Sequence, residues 1–587
     1  MNPHSDPIEE PSPSGHKAGR AAMGGVGLAI AAVGGNLALA STMTLSLMAG
    51  MVFVLCVAIV FILNSDDPVT GLGIAIGLTL LFSLLSFFIS PLIMDLMQQW
   101  LYKTTWVSLE EITRYSPETG KVIEQVCTEK KLKQPRLGII DDQNPTAFTY
   151  GSLPNSARLV VSQGLFTYLD DDEVAAVYAH ELGHIVHWDF AVMTVASTLV
   201  QICYLIFITG QRLGRGSDDS KAQGAIQTAA FVAYLFYWIG TYLLLYLSRV
   251  REYFADHFSA ETTGNPNALS RALVKIAYGL VEEGRRQQEP SRLLEGTRAL
   301  GIYDSKAALT TGTAYRISAG SDRIGRVFLW DIFNPWGWWM ELNSTHPLTG
   351  KRIRALTTYA EQLGIATEFD MAGVVQEGKS LSRKRLYGGF LLDLLLYSAE
   401  VVGFLAGLIA GMILVATTHQ LGTVLALPLI GLGMGVVLKA LIMFPSFNHA
   451  PETNILDLMS DPYASPLRGQ PARLEGELIG RGDAGYVFGS DLQFQDRTGL
   501  LYLRYASRFG PIGNFLFGMN RVKSLIGTSA KTLGWFRRGA VSWMDLIQLE
   551  SEGGTRVNSY HRFWSFLLGM GLMAIGICLG LVFSTPV

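Results

Sequence analysis

The chain has 587 residues, with 46 Lys and Arg against 49 Asp and Glu, a formal charge of −3, and 49% apolar against 16% charged residues. Roughly a quarter of an ordinary soluble domain is charged, so this deficit excludes a simple soluble protein and calls for several bilayer-spanning segments. A pI near 6.4 supplies no overall basic field, which argues against nucleic-acid partners. Of the four cysteines, Cys56, Cys203 and Cys578 lie in apolar runs and Cys127 stands alone in a charged segment, so no disulfide framework can be drawn.

Residues 1–22 are polar and rich in Pro and Ser, and read as a disordered tail. Residues 23–98 read as the N-terminal membrane part. Met43 to Leu63 and Gly71 to Met94 are charge-free and long enough to cross about 30 Å of hydrocarbon. Ala21 to Ala40 is charge-free but weakly apolar, and spans, lies in the interface or packs on its neighbour. Phe190 to Thr209 and Ala225 to Leu247 form a hairpin (190–247) inside a segment, 99–388, that is otherwise soluble in composition. Val401 to Thr418 and Leu421 to Leu438, extended through Leu391 to Tyr397 and Ala440 to Phe444, give a second hairpin (389–445) turning at His419, with Asp393 and Glu400 standing against it. Phe563 to Phe583 anchors the C-terminus, within 562–587. Roughly seven spans follow, or eight if the first weak run crosses. Basic residues concentrate between Tyr102 and Asp189 and at Arg383 to Arg385, which places these regions on the cytoplasmic side.

A strand-like region ends at Asp170 to Asp172, and from Glu173 a helical pattern runs through HELGH toward the membrane. On a helix His180 and His184 are one turn apart on one face, the separation two imidazoles need to share a tetrahedral Zn²⁺, with Glu181 beside them as a general base for water. The bland alternative is a solvated helix face. A catalytic zinc with two His ligands lacks one protein ligand, and Glu252 in SRVREYFAD supplies a carboxylate from a second helix. Asp256, four residues on, is placed to orient one zinc histidine through its free ring nitrogen. The intervening hairpin crosses the membrane twice and returns Glu252 to the side His184 left, so the site lies at the membrane surface. His187 reads as a packing or interfacial histidine, and His257 points elsewhere. Arg249 and Arg251 read chiefly as boundary residues of a span, with pairing to the site's carboxylates as the alternative for either. The aromatic run from Trp330 to Leu342 suits an interfacial belt.

These residues resemble the HtpX-like membrane zinc metalloproteases, related to the CAAX prenyl protease and the Oma-type peptidases. The likeness rests on TAFTYG at Thr146 to Gly151, HELGHIVHWD from His180, SRVREYFAD from Ser248 and STHPLTGKRI from Ser344, and covers about residues 40 to 360. It implies a gluzincin endopeptidase with one zinc per chain on His180, His184 and Glu252, Glu181 as general base, His346 stabilising the oxyanion and Arg352 bracing the site. It also implies that Ala147 to Gly151 is an edge strand that aligns peptide substrates, with Thr146, Ala147 and Phe148 as contact residues. Thr146 departs from the relatives' usual Asn.

Residues 446–561 open on a turn-rich linker and continue as short alternating stretches, the pattern of a small antiparallel barrel or sandwich. They resemble a GIDE-type domain at LEGELIGRG, SDLQFQDRTG and GWFRRG, a part suited to docking substrates or partners and able to cap the cleft. The expected fold is therefore an integral membrane, mainly α protein: a multi-span helical bundle carrying a gluzincin domain with a small β-sheet, plus a C-terminal β domain. The expected function is cytoplasm-facing cleavage of membrane or misfolded proteins in a prokaryotic inner membrane, with oligomerisation left open. A prenyl-protein protease and a non-catalytic scaffold are the competing readings.

Overall fold

The computed structural model describes residue 51 and residues 68–100, 102–215, 220–286, 321–418, 422–481, 489–539 and 542–583. The expectations for the tail 1–22, for 21–40, for Cys56 and the rest of the 43–63 span save Met51, and for the turn at His419 lie outside these residues.

Helix α1 (Pro68–Trp100) covers the residues of the expected 71–94 span and leads into a four-stranded sheet of β1 (Thr105–Val107), β2 (Arg136–Ile140), β3 (Ala147–Tyr150) and β4 (Arg158–Ser162). Helices α2 (Leu109–Tyr115) and α3 (Pro117–Glu129) connect β1 to β2. The sheet order is β1-β2-β4-β3, with β2 and β4 parallel and the other pairs antiparallel, so β3 is an edge. The region before Asp170, expected as strand, contains β4 but then turns into a short helix, α4 (Gln163–Tyr168).

Helix α5 (Asp171–Val186) is the centre of the core. Three acidic residues in its first turn complement the helix dipole, and the Glu173 side chain accepts from the Asp170 backbone N–H at 2.9 Å. Glu173 is fully buried, yet it is matched by Arg271 at 3.0 Å and Lys275 at 2.7 Å from α8 (Pro266–Arg286). Around α5, Val174 to Ala179 and Leu182 pack with Ile112, Ile123, Leu159, Val161, Leu269 and Leu273 in one apolar cluster.

The chain leaves α5 through Trp188, whose φ of 61° lies in the left-handed region, and enters α6 (Asp189–Arg215). Helix α7 (Ser220–Thr263) returns antiparallel to it, with Ile202, Cys203 and Ala233 buried between them. At 44 residues, α7 outlasts the bilayer and carries its last turns back across α5. Gly183 allows that crossing, because a Cβ there would stand 3.2 Å from the Ala255 Cα.

After α9 (Ser321–Phe333), α10 (Pro335–Leu342) and α11 (Thr349–Gln362), helix α13 (Arg383–Tyr397) follows α12 (Met371–Lys379) and runs into α14 (Ala399–Thr418) with only a break at Ser398. Asp393, which counted against a span, is fully buried and held by Arg468 Nε at 2.6 Å, Trp336 Nε1 at 2.9 Å and Ser465 Oγ at 2.7 Å. Glu400 pairs with Lys439 of α15 (Gly422–Met443) at 2.7 Å. Helices α14 and α15 approach through glycines: a Cβ on Gly403 would fall 2.1 Å from the Gly431 carbonyl oxygen. Five described helices, α6, α7, α14, α15 and a C-terminal helix of residues 561–582, are long and apolar enough to cross a membrane.

The segment expected as a linker is packed instead, through α16 (Ile455–Met459), because Ile455, Leu456, Leu458 and Met459 bury themselves against the β domain. Strands β5 (Gln470–Arg481), β6 (Leu492–Gln495), β7 (Leu500–Arg504), β8 (Ser529–Arg537) and β9 (Trp543–Ser551) close a five-stranded barrel, since β8 pairs both β5 and β9; β10 (Arg556–Asn558) adds to β9. One correction concerns its topology: β7 and β9 are parallel, because helices α17 (Gly510–Asn520) and α18 (Val522–Leu525) and then β8, antiparallel to β9, lie between them and β8 returns the chain along the barrel. The last helix is α19 (His561–Val582). The expected aromatic belt is only partly one. Trp338 and Trp339 are exposed, whereas Trp330 and Trp336 are buried in the core shared with the barrel. There Arg538, fully buried, lies 3.6 Å from Asp331 and donates to the carbonyls of Val327 and Met459.

Candidate active site

His180 and His184 leave one face of α5, and Glu252 reaches the same point from α7. Their Nε2 atoms are 3.2 Å apart, and Glu252 Oε2 and Oε1 lie 3.6 Å and 3.5 Å from them. Among the described residues this is the one group of three potential ligands whose atoms lie within 4.8 Å of one another. Both histidines turn their other nitrogen to a carboxylate, His180 Nδ1 to Asp256 at 3.0 Å and His184 Nδ1 to Asp189 at 2.5 Å. That contact directs the Nδ1 proton to the carboxylate and leaves each Nε2 lone pair facing the other and Glu252. Two lone pairs and a carboxylate crowded into so small a volume repel unless positive charge sits among them. The protein's own electrostatics say the same. Burial lowers the pKa of His180, but the neighbouring carboxylates of Asp256 and Glu252 outweigh it and raise the group to about 9, whereas burial holds His184 well below its ordinary value. Glu252 Oε2 is buried without a hydrogen bond, a further sign that the donor set fits a cation.

Glu181, 1% exposed, projects beside this group. Burial pushes its carboxyl up to about 7, and Thr149 Oγ1 of β3 donates to its Oε2 at 3.0 Å. Arg352 of α11 grips Asp256 with two nitrogens, at 2.9 Å and 2.6 Å, and stands 3.5 Å from Glu252. His346 Nε2 lies 3.5 Å from Glu252 Oε1 and its Nδ1 2.9 Å from the Thr345 hydroxyl.

A cleft of about 370 Å³ opens onto these groups, lined by Pro91 and Met94 of α1, Thr149 and Tyr150 of β3 with Gly151 just after it, Phe190 and Met193 of α6, and His184, Glu252 and His346. Two expectations shift here. Ala147 and Phe148 are fully buried and Thr146 is 6% exposed, tied to Ser162 through its backbone, so β3 reaches the cleft only from Thr149 onward. The described part of the cleft wall holds no barrel residue, because the barrel packs on α9 and α10.

Of the two readings of the arginines, Arg251 follows the carboxylate-pairing alternative, while Arg249 binds backbone carbonyls. Arg251 is buried and pairs with Asp189 at 2.7 Å, and Arg249 donates to the backbone carbonyls of Glu341 and Ser344 at 2.7 Å and 2.8 Å. His187 packs edge-on against Phe254 and Phe258, and His257 against Tyr359, as packing residues do. Asp189 and Thr149 are the site neighbours that sequence reasoning passed over. The signal for Asp189 was the acidic residue closing HELGHIVHWD, one turn beyond His184.

Part of the chain is similar to known proteins. A protein named Protease HtpX homolog from Methanothermobacter thermautotrophicus is 31% identical over 241 residues, which cover 41% of this chain and 86% of the relative. One from Aeropyrum pernix is 31% identical over 329 residues, 54% of this chain and 97% of the relative. One from Pyrococcus furiosus is 30% identical over 299 residues, 50% of this chain and 89% of the relative. The family model for Peptidase family M48 matches residues 115–360. The chain belongs to peptidase family M48. It is an HtpX-like metallopeptidase carried on membrane-spanning helices, as its four motifs implied, and its family implies a metal that the His180, His184 and Glu252 group has the chemistry to hold. The M48 match ends at residue 360, before the second hairpin and the barrel. No solved structure matches the chain.

Proposed function

We propose that this M48 chain is a zinc-dependent endopeptidase that cleaves membrane proteins, or misfolded segments emerging from the bilayer, at the cytoplasmic face of a prokaryotic inner membrane. The observation that carries the reading is the convergence of His180, His184 and Glu252 beside Glu181, in a cleft walled by the membrane-bound helices α1 and α6. His180, His184 and Glu252 hold the zinc, which when bound supplies Lewis acidity and acidifies water.

Glu181 takes a proton from the attacking water, which a carboxyl raised to about 7 does readily near neutral pH, and returns it to the leaving amine nitrogen as the C–N bond breaks. Thr149 holds one oxygen of Glu181, while the other, Oε1, is buried with no hydrogen bond of its own and is left to take the proton. His346, on the cleft wall, donates toward the carbonyl oxygen as negative charge develops there. Asp256 and Asp189 fix the two imidazoles, and Arg352 braces Asp256 against α7. A substrate in extended form adds to the free edge of β3 alongside Thr149 to Gly151. The barrel, pinned to α9 and α10, serves docking of substrates or partners.

The test is cleavage of an unfolded protein and of a membrane protein by the full chain in lipid vesicles, beside Glu181→Gln. Cleavage lost in the variant while its zinc is retained supports the reading. Intact substrates with zinc-loaded wild type sink it.

A further inference from the structure

Helix α17 presents its apolar side to the outside. Ile512, Phe515, Leu516 and Met519 fall at i, i+3, i+4 and i+7, one face of the helix, and are 74%, 45%, 46% and 46% exposed; Phe509, just before it, is 76% exposed. The opposite side is the one the barrel holds, through buried Gly513, Phe517 and Gly518, with the Phe517 ring stacked 4.0 Å from Tyr505. Glycine at 513 is required there, since a Cβ would stand 2.1 Å from Ser507 Oγ. The exposed face is therefore fixed outward and does not turn in to close on the core.

What meets this face follows from its neighbour. The stretch leading into α17 is sewn to the first turn of α19, the last membrane-spanning helix. Trp564 Nε1 donates to the Ser507 carbonyl at 2.7 Å, the Tyr560 N–H to the Ala506 carbonyl at 2.8 Å, and the Ala506 N–H to Ser559 Oγ at 2.9 Å. The Trp564 ring also lies against Gly510, the first residue of α17. Tyr560, Phe563 and Trp564 at the mouth of a span form the aromatic level at which a helix enters the headgroup region. Helix α17 thus begins at the depth where α19 enters the bilayer. Exposed Arg508, Arg521 and Lys523 flank its apolar face at either end, as on helices that lie in the plane of an anionic membrane surface.

We propose that α17 is an interfacial anchor: its Phe509, Ile512, Phe515, Leu516 and Met519 face inserts into the lipid headgroup and acyl boundary beside α19, holding the barrel flat on the membrane. The barrel then has two attachments to the bilayer, a spanning helix and a surface helix, and its orientation relative to the catalytic helices is set by lipid as well as by protein contacts. A second copy of the chain is the other possible occupant, and it suits the face less well because the flanking cations would meet their own kind across a two-fold.

The test uses the full chain with its native cysteines changed to serine, in vesicles of phosphatidylcholine and phosphatidylglycerol. An environment-sensitive nitrobenzoxadiazole probe is attached at Ile512→Cys, at Met519→Cys, or at Glu552→Cys, an exposed position in the turn between β9 and β10. Retained proteolysis shows that each labelled protein is folded. The expected result is blue-shifted emission and severalfold quenching by nitroxide lipids at the first two positions, with none at the third. Water-like, unquenched emission at Ile512→Cys and Met519→Cys overturns the proposal. So does efficient disulfide dimerisation of unlabelled Ile512→Cys together with unquenched emission, which assigns the face to a second copy.

Discussion

Asp189, the first residue of α6, receives Nδ1 of His184 at 2.5 Å and Arg251 Nη2 at 2.7 Å on the same carboxylate oxygen. The left-handed turn at Trp188 brings this about: it reverses the chain as α5 ends, so that the residue entering the membrane points back at the histidine just passed. Asp189→Asn keeps the volume but removes the charge that fixes the imidazole. Partners of this kind are worth about 10–100-fold in metal affinity. The expected outcome is zinc binding weakened by that order in a chelator competition, with the helical content of the protein unchanged.

Thr149 should act on turnover and not on metal. Losing its hydrogen bond frees Glu181 to rotate, and a bond to a charged group is worth ~1.5–3 kcal/mol, so Thr149→Val should lose about tenfold or more in kcat/KM at full zinc content. Thr149→Ser should recover most of it. A Thr149→Val protein with wild-type kinetics would remove the residue from the site.

Between barrel and protease, Arg538 and Asp331 are both buried. Removing one charge of such a pair strands the other at a cost of about 3–5 kcal/mol. Arg538→Met should therefore lower the thermal unfolding midpoint sharply, and Asp331→Leu added to it should restore part of the loss. Additive damage in the double variant would mean that the two charges do not interact.

Gly403 and Gly431 let α14 and α15 touch backbone to backbone. Gly403→Leu forces the helices apart at a cost of about 1–3 kcal/mol. The expected readout is loss of cysteine cross-linking between the two helices, with zinc binding retained.

Much of the site was legible because its chemistry obeys helix periodicity. His180 and His184 share a face by spacing alone, and Glu252 could be placed by counting membrane crossings. Thr149 was not legible as a partner of Glu181, since the contact joins a strand to a helix and depends on how the sheet packs on α5. Arg251 read chiefly as a boundary cation because sequence shows its nearness to a span but not the turn at Trp188 that delivers Asp189 to it. In the C-terminal part, alternation announced strands, but alternation carries no direction, so the parallel β7–β9 pair was invisible. Ile455 to Met459 looked like linker because turn residues surround them, although their apolar side chains fill the space between barrel and protease. Trp330 and Trp336 likewise differ from Trp338 and Trp339 only in which helix face meets the barrel.

The most direct measurement is zinc stoichiometry of the purified full chain, by elemental analysis, for wild type, Glu181→Gln and Glu252→Ala. With His180, His184 and Glu252 as the ligand set, wild type and Glu181→Gln should each hold about one zinc and Glu252→Ala should lose it under the same dialysis. Full zinc and undiminished proteolysis in Glu252→Ala would contradict the assignment of the third ligand, and with it the metal centre on which the function rests.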